Sequence, residues 1–178
     1  CPGDDLFTLF PERVAAASVT RCKLQMLRLA DPGFRLSAAV MSDLGLTRYA
    51  GYVALEPASA LTARLMAEQP DHFANGVHLI VVQSADGSLV VGDSHHYAST
   101  PDPFSHQHVD DLILDEFARV FGRPAPAVVE RWTGTYASAQ DRTVLVDTPM
   151  AGVRLAMVTT GAGASTGFAL GEEIVSDL

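Results

Sequence analysis

Residues 21–29, Arg-Cys-Lys-Leu-Gln-Met-Leu-Arg-Leu, alternate along the chain. Cys22, Leu24, Met26 and Arg28 fall on one side and Lys23, Gln25, Leu27 and Leu29 on the other, as in a half-buried strand. Asp31-Pro-Gly33 ends it. Residues 34–55 show weak periodicity around a loop-like cluster, Leu46-Thr-Arg-Tyr-Ala-Gly-Tyr52. Pro57 then opens a helix that runs to about Gln69, with Leu61, Leu65 and Met66 on one face. Gly76 to Gln83 and Ser88 to Gly92 are apolar runs joined by Ser84-Ala-Asp-Gly87, and Asp-Gly is a strong hairpin signal. From about Val109 to Phe121 the apolar residues return at helical spacing and stop at Gly122-Arg-Pro124.

Val128 to Ala137 and Arg142 to Val146 predict two further strands, and Asp5 to about Ala17 a short helix. Val153 to Val158 is a buried-strand run, Thr159 to Thr166 holds only small residues, and Phe168 to Val175 reads as a helix. A strand that breaks into a glycine loop and restarts as a helix brings backbone N–H groups close to a ligand, and the helix dipole adds positive potential there. Gly161, Gly163 and Gly167 do not make a dinucleotide fingerprint, which needs an acidic residue about twenty positions later. They do not make a phosphate-binding P-loop either, because Phe168 follows Gly167 where a Lys-Ser or Lys-Thr pair belongs. A glycine turn that merely packs a helix on a sheet is the other reading of this stretch. The element order predicts an α+β layer with an antiparallel sheet, to which the last strand and helix are added from another unit.

The 178 residues are 48% hydrophobic and 19% charged, enough for a core of the chain's own. A formal net charge of -9 without a basic run gives no footprint for nucleic acid or an anionic membrane. No apolar run approaches the roughly twenty residues that span a bilayer. Cys1 and Cys22 make neither a disulfide framework nor a Cys-x-x-Cys pair, so a reducing cytoplasm is expected. The opening Cys1-Pro-Gly-Asp-Asp5 reads as the end of a strand turning into a loop, and we expect an earlier portion of the polypeptide to precede it.

Candidate chemistry is sparse. His95, His96, His106 and His108 fall close together among Asp93, Asp102 and Asp110, but only His106 and His108 approach ligand spacing, and no metal is expected. A serine nucleophile lacks its Gly-x-Ser-x-Gly elbow.

The motifs, taken together, are similar to the later half of the FAD-dependent amine oxidases, the superfamily of D-amino acid oxidase, glycine oxidase and sarcosine oxidase. Cys1-Pro-Gly3 resembles the end of the family's Ala-Gly-Ala-Trp turn, and Lys23-Leu-Gln-Met26 its Arg-Gly-Gln strand. Asp86-Gly-Ser-Leu-Val-Val-Gly92 resembles the hairpin Asp-Gly-x-Leu-x-x-Gly. Trp132-Thr-Gly-Thr-Tyr136 resembles Trp-x-Gly-x-Arg except at its last position, and Gly161-Ala-Gly163 the closing Gly-His-Gly loop. The resemblance implies an antiparallel-sheet substrate domain with flanking helices, plus the closing strand, glycine loop and helix of a Rossmann-type FAD domain whose N-terminal part is absent. The expected division is 1–19 for the end of the FAD-domain segment and its linking helix, 20–148 for the substrate domain, and 149–178 for the return to the FAD domain.

The same resemblance implies oxidation of a C–N bond of a small amine by hydride transfer to flavin, with molecular oxygen as acceptor. Cys1, Pro2, Gly3, Gly134, Gly161, Ala162, Gly163, Ala164, Ser165 and Thr166 would contact FAD. The FAD is expected to be non-covalent, since Gln140-Asp-Arg142 lacks the attaching cysteine of some relatives. Tyr136 replaces the arginine that clamps a substrate carboxylate, which leaves Arg48, with Tyr49, Tyr52, His96 and Gln25, to bind substrate. The combination of Lys-Leu-Gln-Met, Arg-Tyr, Gly-Asp-Ser-His-His-Tyr and Trp-x-Gly-x-Tyr resembles the branch associated with aminophosphonate breakdown. The substrate would then be a small amine carrying a phosphonate, with Arg48, His95 and Tyr136 offering donors to its oxygens and Tyr136 and His95 as the catalytic candidates. The alternative is a non-catalytic or metal-binding small-ligand module built on the loop of His95, His96, His106 and His108.

Overall fold

The computed structural model describes residues 3–176 and is of mixed α+β type with antiparallel sheets. Strands β1 (Thr20–Leu29), β2 (Val40–Met41), β3 (Ile80–Gln83), β4 (Leu89–Gly92) and β5 (His96–Ala98) form a sheet of order β2-β3-β4-β1-β5, and β6 (Val128–Ser138) also pairs with β1. Strands β7 (Val144–Met150) and β8 (Val153–Val158) make a separate antiparallel pair. Helices α1 (Pro11–Ala16), α2 (Ala50–Val53), α3 (Ala58–Glu68), α4 (Pro70–Ala74), α5 (Gln107–Phe121) and α6 (Gly163–Ser176) complete the fold.

The chain divides into two compact units. One holds residues 1–23, 97–102 and 135–178, and the other 24–96 and 103–134. The segments 1–19 and 149–178 singled out in the sequence both belong to the first unit, together with 135–148.

In the second unit the alternation of β1 decides the packing. Gln25, Leu27 and Leu29 are buried while Leu24, Met26 and Arg28 are half-buried. Leu27 and Leu29 join Leu79, Val81, Leu89 and Val91 of the neighbouring strands and Ile113 and Phe117 of α5 in one apolar core. Burying such side chains contributes about 1.5–3 kcal/mol each relative to exposure. The hairpin forms as its Asp-Gly signal predicts, with Gln83 opposite Leu89 and Ser84 exchanging hydrogen bonds with Gly87 and Ser88. Gly87 supplies the turn's positive φ of 92°. Two helical expectations shift. Met66 is exposed, so α3 buries Ala58 and Leu65 instead. Residues 34–55, which show weak periodicity, form a 3-10 turn at Asp43–Thr47 and the single-turn α2.

In the first unit, Leu6, Val14, Ala17 and Val19 pack with Ala137, Leu145, Leu155 and Met157. The expected helix from Asp5 shortens to α1, because the Asp5 carboxylate accepts the N–H groups of Phe7 and Thr8 and holds that segment as a turn. Helix α6 starts at Gly163, five residues before the predicted Phe168, and none of its described residues is buried. Phe168 is 95% exposed. Among the described residues no helix is long and apolar enough to cross a membrane.

Candidate functional site

The glycine loop of the first unit is fixed at its base by Thr159, which is fully buried. Its N–H donates to Thr143 O, its hydroxyl to Arg142 O, and its carbonyl accepts from Ala139 N. Beyond it, the Ala162 carbonyl accepts the N–H groups of Ser165 and Thr166, both at 3.1 Å, and their hydroxyls at 3.0 and 2.9 Å. The loop is therefore shorter than the sequence suggests. Gly161 and Ala162 are its tip, whereas Gly163, Ala164, Ser165 and Thr166 form the first turn of α6. The first-turn N–H groups of a helix point outward along its axis and carry its positive end.

Tyr136 of β6 lies against this tip. A Cβ built on Gly161 would stand 4.0 Å from the phenol carbon and oxygen of Tyr136, and one on Gly163 would stand 3.7 Å from Val158. Between loop, helix and strand lies a cleft of about 490 Å³, lined by Gly3, Tyr136, Val158, Gly161, Gly167 and Ile174 among others. Cys1 and Pro2, expected beside it, lie outside the described residues.

In the second unit the chemistry gathers at the open end of the hairpin. His78 and Asp93 face each other across a pair of backbone hydrogen bonds of 2.9 and 2.8 Å. His95 follows two residues later, its Nδ1–H donating to Gly76 O at 2.8 Å, and its ring lies 4.4 Å from that of His78. One ligand-capable atom from each of His78, Asp93 and His95 falls within 4.8 Å of the others. Burial pushes His78 down to about 3, helped by His95 and Arg48, and pushes His95 down to about 3, helped by Arg48. Both imidazoles are neutral at pH 7. Burial raises Asp93 to about 7 although Arg48 draws it the other way, and Asp93 Oδ1 accepts no hydrogen bond among the described residues. Arg48 lines an adjoining cavity of about 160 Å³ with Leu44, Thr47, Gly76 and His78, and the Tyr49 ring stands 6.2 Å from His78.

His95 is thus presented differently from the sequence expectation. With its one proton donated to Gly76, the neutral ring has no second N–H for a substrate oxygen. Gln25 is 1% exposed and its amide is committed. Nε2 donates to Asp110 Oδ1 at 2.7 Å and to His106 O at 3.1 Å, and Oε1 accepts from His106 N at 2.9 Å. These bonds position the start of α5. His96 meets Asn75 Oδ1 at 3.1 Å. Tyr52 is 45% exposed on α2, and Gly134 has only Leu24 within reach of an added Cβ, at 3.9 Å. The loop of His95, His96, His106 and His108 does not assemble as a ligand set, since His106 and His108 are exposed and the described donors that do converge are His78, Asp93 and His95. Gly76 and His78 carry no motif of their own, Asp93 entered through Gly-Asp-Ser-His-His-Tyr, and only the pairing of the hairpin beyond Gly92 could have brought them together.

The family model of FAD-dependent oxidoreductases (DAO) matches residues 30–177. The chain belongs to this family. FAD is accordingly the cofactor of the oxidoreductase. No curated protein matches the chain. The glycine tip suits the cofactor sterically, because each missing Cβ at Gly161 and Gly163 would occupy space lined by Tyr136 and Val158. In this FAD-dependent oxidoreductase, Gly161, Ala162 and the first turn of α6 are the residues present that would hold a cofactor edge.

Proposed function

We propose that this chain is the substrate-side portion of a flavoenzyme that oxidises the C–N bond of a small amine, of the aminophosphonate or N-methyl amine class. The observation that carries the reading is that Tyr136 lines the same cleft as the Gly161 tip, a Cβ on Gly161 standing 4.0 Å from its phenol oxygen, which supports a phenol at the reacting end of the substrate beside the cofactor loop. A bound FAD would supply the acceptor for a hydride from the carbon next to the amine. Tyr136 orients the amine by its hydroxyl, which can donate and accept. The backbone N–H groups of Gly163 and Ala164 in the first turn of α6 would stabilise negative charge at the cofactor edge through the helix dipole, whereas the Ser165 N–H is already given to Ala162 O.

Arg48 of the second unit, whose guanidinium borders the smaller cavity with Thr47, has the chemistry to pair with a phosphonate or carboxylate. Molecular oxygen as acceptor, non-covalent FAD and a preceding Rossmann-type portion complete the proposal. Helix α6, with Phe168 95% exposed, has the apolar surface that such a portion would cover. The test is visible absorption of the longest native polypeptide containing the chain, with amines added under anaerobic conditions. Bleaching of the flavin band by 2-aminoethylphosphonate or an N-methyl amine is expected. Flavin that stays oxidised with every small amine, but is reduced by another substrate class, overturns the amine reading.

A further inference from the structure

We propose that His78 joins Arg48 in a site for a small oxyanion, and that the group the site takes is the carboxylate or phosphonate end of the substrate. The identity of the ligand rests on the amine-oxidase reading, and the site itself on the second unit alone. Arg48 follows the 3-10 turn Asp43–Thr47 and His78 precedes β3. Both line the cavity of about 160 Å³, with Leu44, Thr47, Phe73 and Val77 among its other walls.

Most donors around this cavity are committed to the fold. The Thr47 hydroxyl donates to Leu44 O at 2.8 Å. The backbone N–H groups of Arg48, Gly76, Val77 and His78 go to the carbonyls of Gly45, Phe73, His72 and Asp93, at 3.2, 3.1, 2.9 and 2.9 Å. The His78 ring is different. The residue is 4% exposed, its ring stands 4.4 Å from that of His95 and 6.2 Å from that of Tyr49, and its nitrogens make no hydrogen bond among the described residues. A buried polar group without a partner is costly, and such groups in native folds ask for an explanation. A ligand in the cavity supplies one, because a neutral imidazole carries one N–H to give.

Arg48 sets the sign of that ligand. Its charge lowers both His78 and His95 and draws Asp93 the same way, so all three groups lie in its positive potential. Asp93 does not cancel it: burial raises the Asp93 carboxyl to about 7 against the pull of Arg48, and below that pH the group is mostly neutral. Both imidazoles are neutral there as well, so His78 serves by its N–H and not by charge. A guanidinium has five N–H donors in a fork that fits paired oxygens, enough for a ligand beside the bonds it makes within the fold. Apolar walls from Leu44, Phe73 and Val77 strengthen the attraction by keeping the local dielectric low. The volume decides the size. Sites for drug-sized ligands run to about 300–1,000 Å³, so 160 Å³ holds a headgroup and not a whole cofactor.

The test is calorimetry of methylphosphonate, and separately of acetate, with the purified, flavin-loaded native polypeptide at a pH one unit below the Asp93 value of about 7. Saturable binding of one equivalent is expected. Arg48→Met should abolish it, and His78→Ala should weaken it about tenfold or more, as loss of a hydrogen bond to a charged group does. His108→Ala, at an exposed position, should leave it unchanged. Absence of saturable binding of either anion in the parent overturns the proposal, as does parent-like affinity in His78→Ala. If His78→Ala fails to fold, nitrogen NMR of the histidine-labelled parent decides: the His78 ring resonances should shift on addition of methylphosphonate, and unmoved resonances overturn the role of His78. The readout is binding and not flavin reduction, so its failure leaves the amine-oxidase proposal standing.

Discussion

Gly76 and His95 touch so closely that a methyl group on the glycine would lie 2.9 Å from His95 Cβ and 3.1 Å from its carbonyl oxygen, while the glycine's own carbonyl accepts the His95 Nδ1–H at 2.8 Å. The glycine also takes a φ of 57°, which side chains disfavour. Position 76 therefore sets where the His95 ring sits. Gly76→Ala is expected to cost about 2 kcal/mol or more, from left-handed strain of about 1–2 kcal/mol plus displacement of the His95 backbone. Urea unfolding checks the cost. Unchanged stability would mean that the contact relaxes freely.

Tyr136 and Gly161 lead to the second prediction. A phenol that serves substrate rather than cofactor can lose its hydroxyl without loss of FAD. Tyr136→Phe should reduce amine turnover at least about tenfold, in line with loss of a positioned proton-transfer or hydrogen-bonding group, and leave the flavin-to-protein absorbance ratio within error of the parent's. Equal loss of both sinks the assignment of Tyr136 to the substrate side.

Glu116 carries a prediction in pH. Burial raises its carboxyl above the ordinary 4.5, although His72 and Arg119 pull the other way, and its Oε2 accepts no hydrogen bond among the described residues. The folded protein thus holds this proton more tightly than the unfolded chain. The sign follows: ionising Glu116 costs stability, and the cost accrues as pH rises from 4.5 through the folded value. Glu116→Gln lacks that cost. Its melting temperature should exceed the parent's by a few degrees near neutral pH, and the gap should close toward pH 4.5. A gap independent of pH would assign the difference to packing.

Local pattern made most of this fold legible. The alternation at residues 21–29 became β1 with Gln25, Leu27 and Leu29 inward, and Ser84-Ala-Asp-Gly87 became the hairpin turn. Patterns that rest on several competing partners were not legible. Helix α6 starts five residues early because the Ala162 carbonyl collects the N–H and hydroxyl groups of Ser165 and Thr166, a local choice that small residues leave open. Cluster membership was hidden by register. Counting outward from Gln83 opposite Leu89 puts His78 opposite Ser94, whereas the backbone pairs it with Asp93. A shift of one residue exchanges the side chains that meet on a face, so Asp93 and His78 could not be placed together by spacing. Gln25 drew attention as a motif residue, yet nothing in its neighbourhood in sequence announces His106 and Asp110.

That last bond set has a consequence for how the chain acquires its structure. Gln25 reaches residues 81 and 85 positions away, and its amide supplies the acceptor for the His106 N–H, a group that at an ordinary helix start is left to solvent. The beginning of α5 can be completed only after β1 is in place, across a long loop whose closure costs entropy before any contact repays it. A ribosome releasing the chain in order would have presented β1 first and waited with its polar interior uncapped. The pair ties the timing of helix completion to a strand made more than seventy residues earlier.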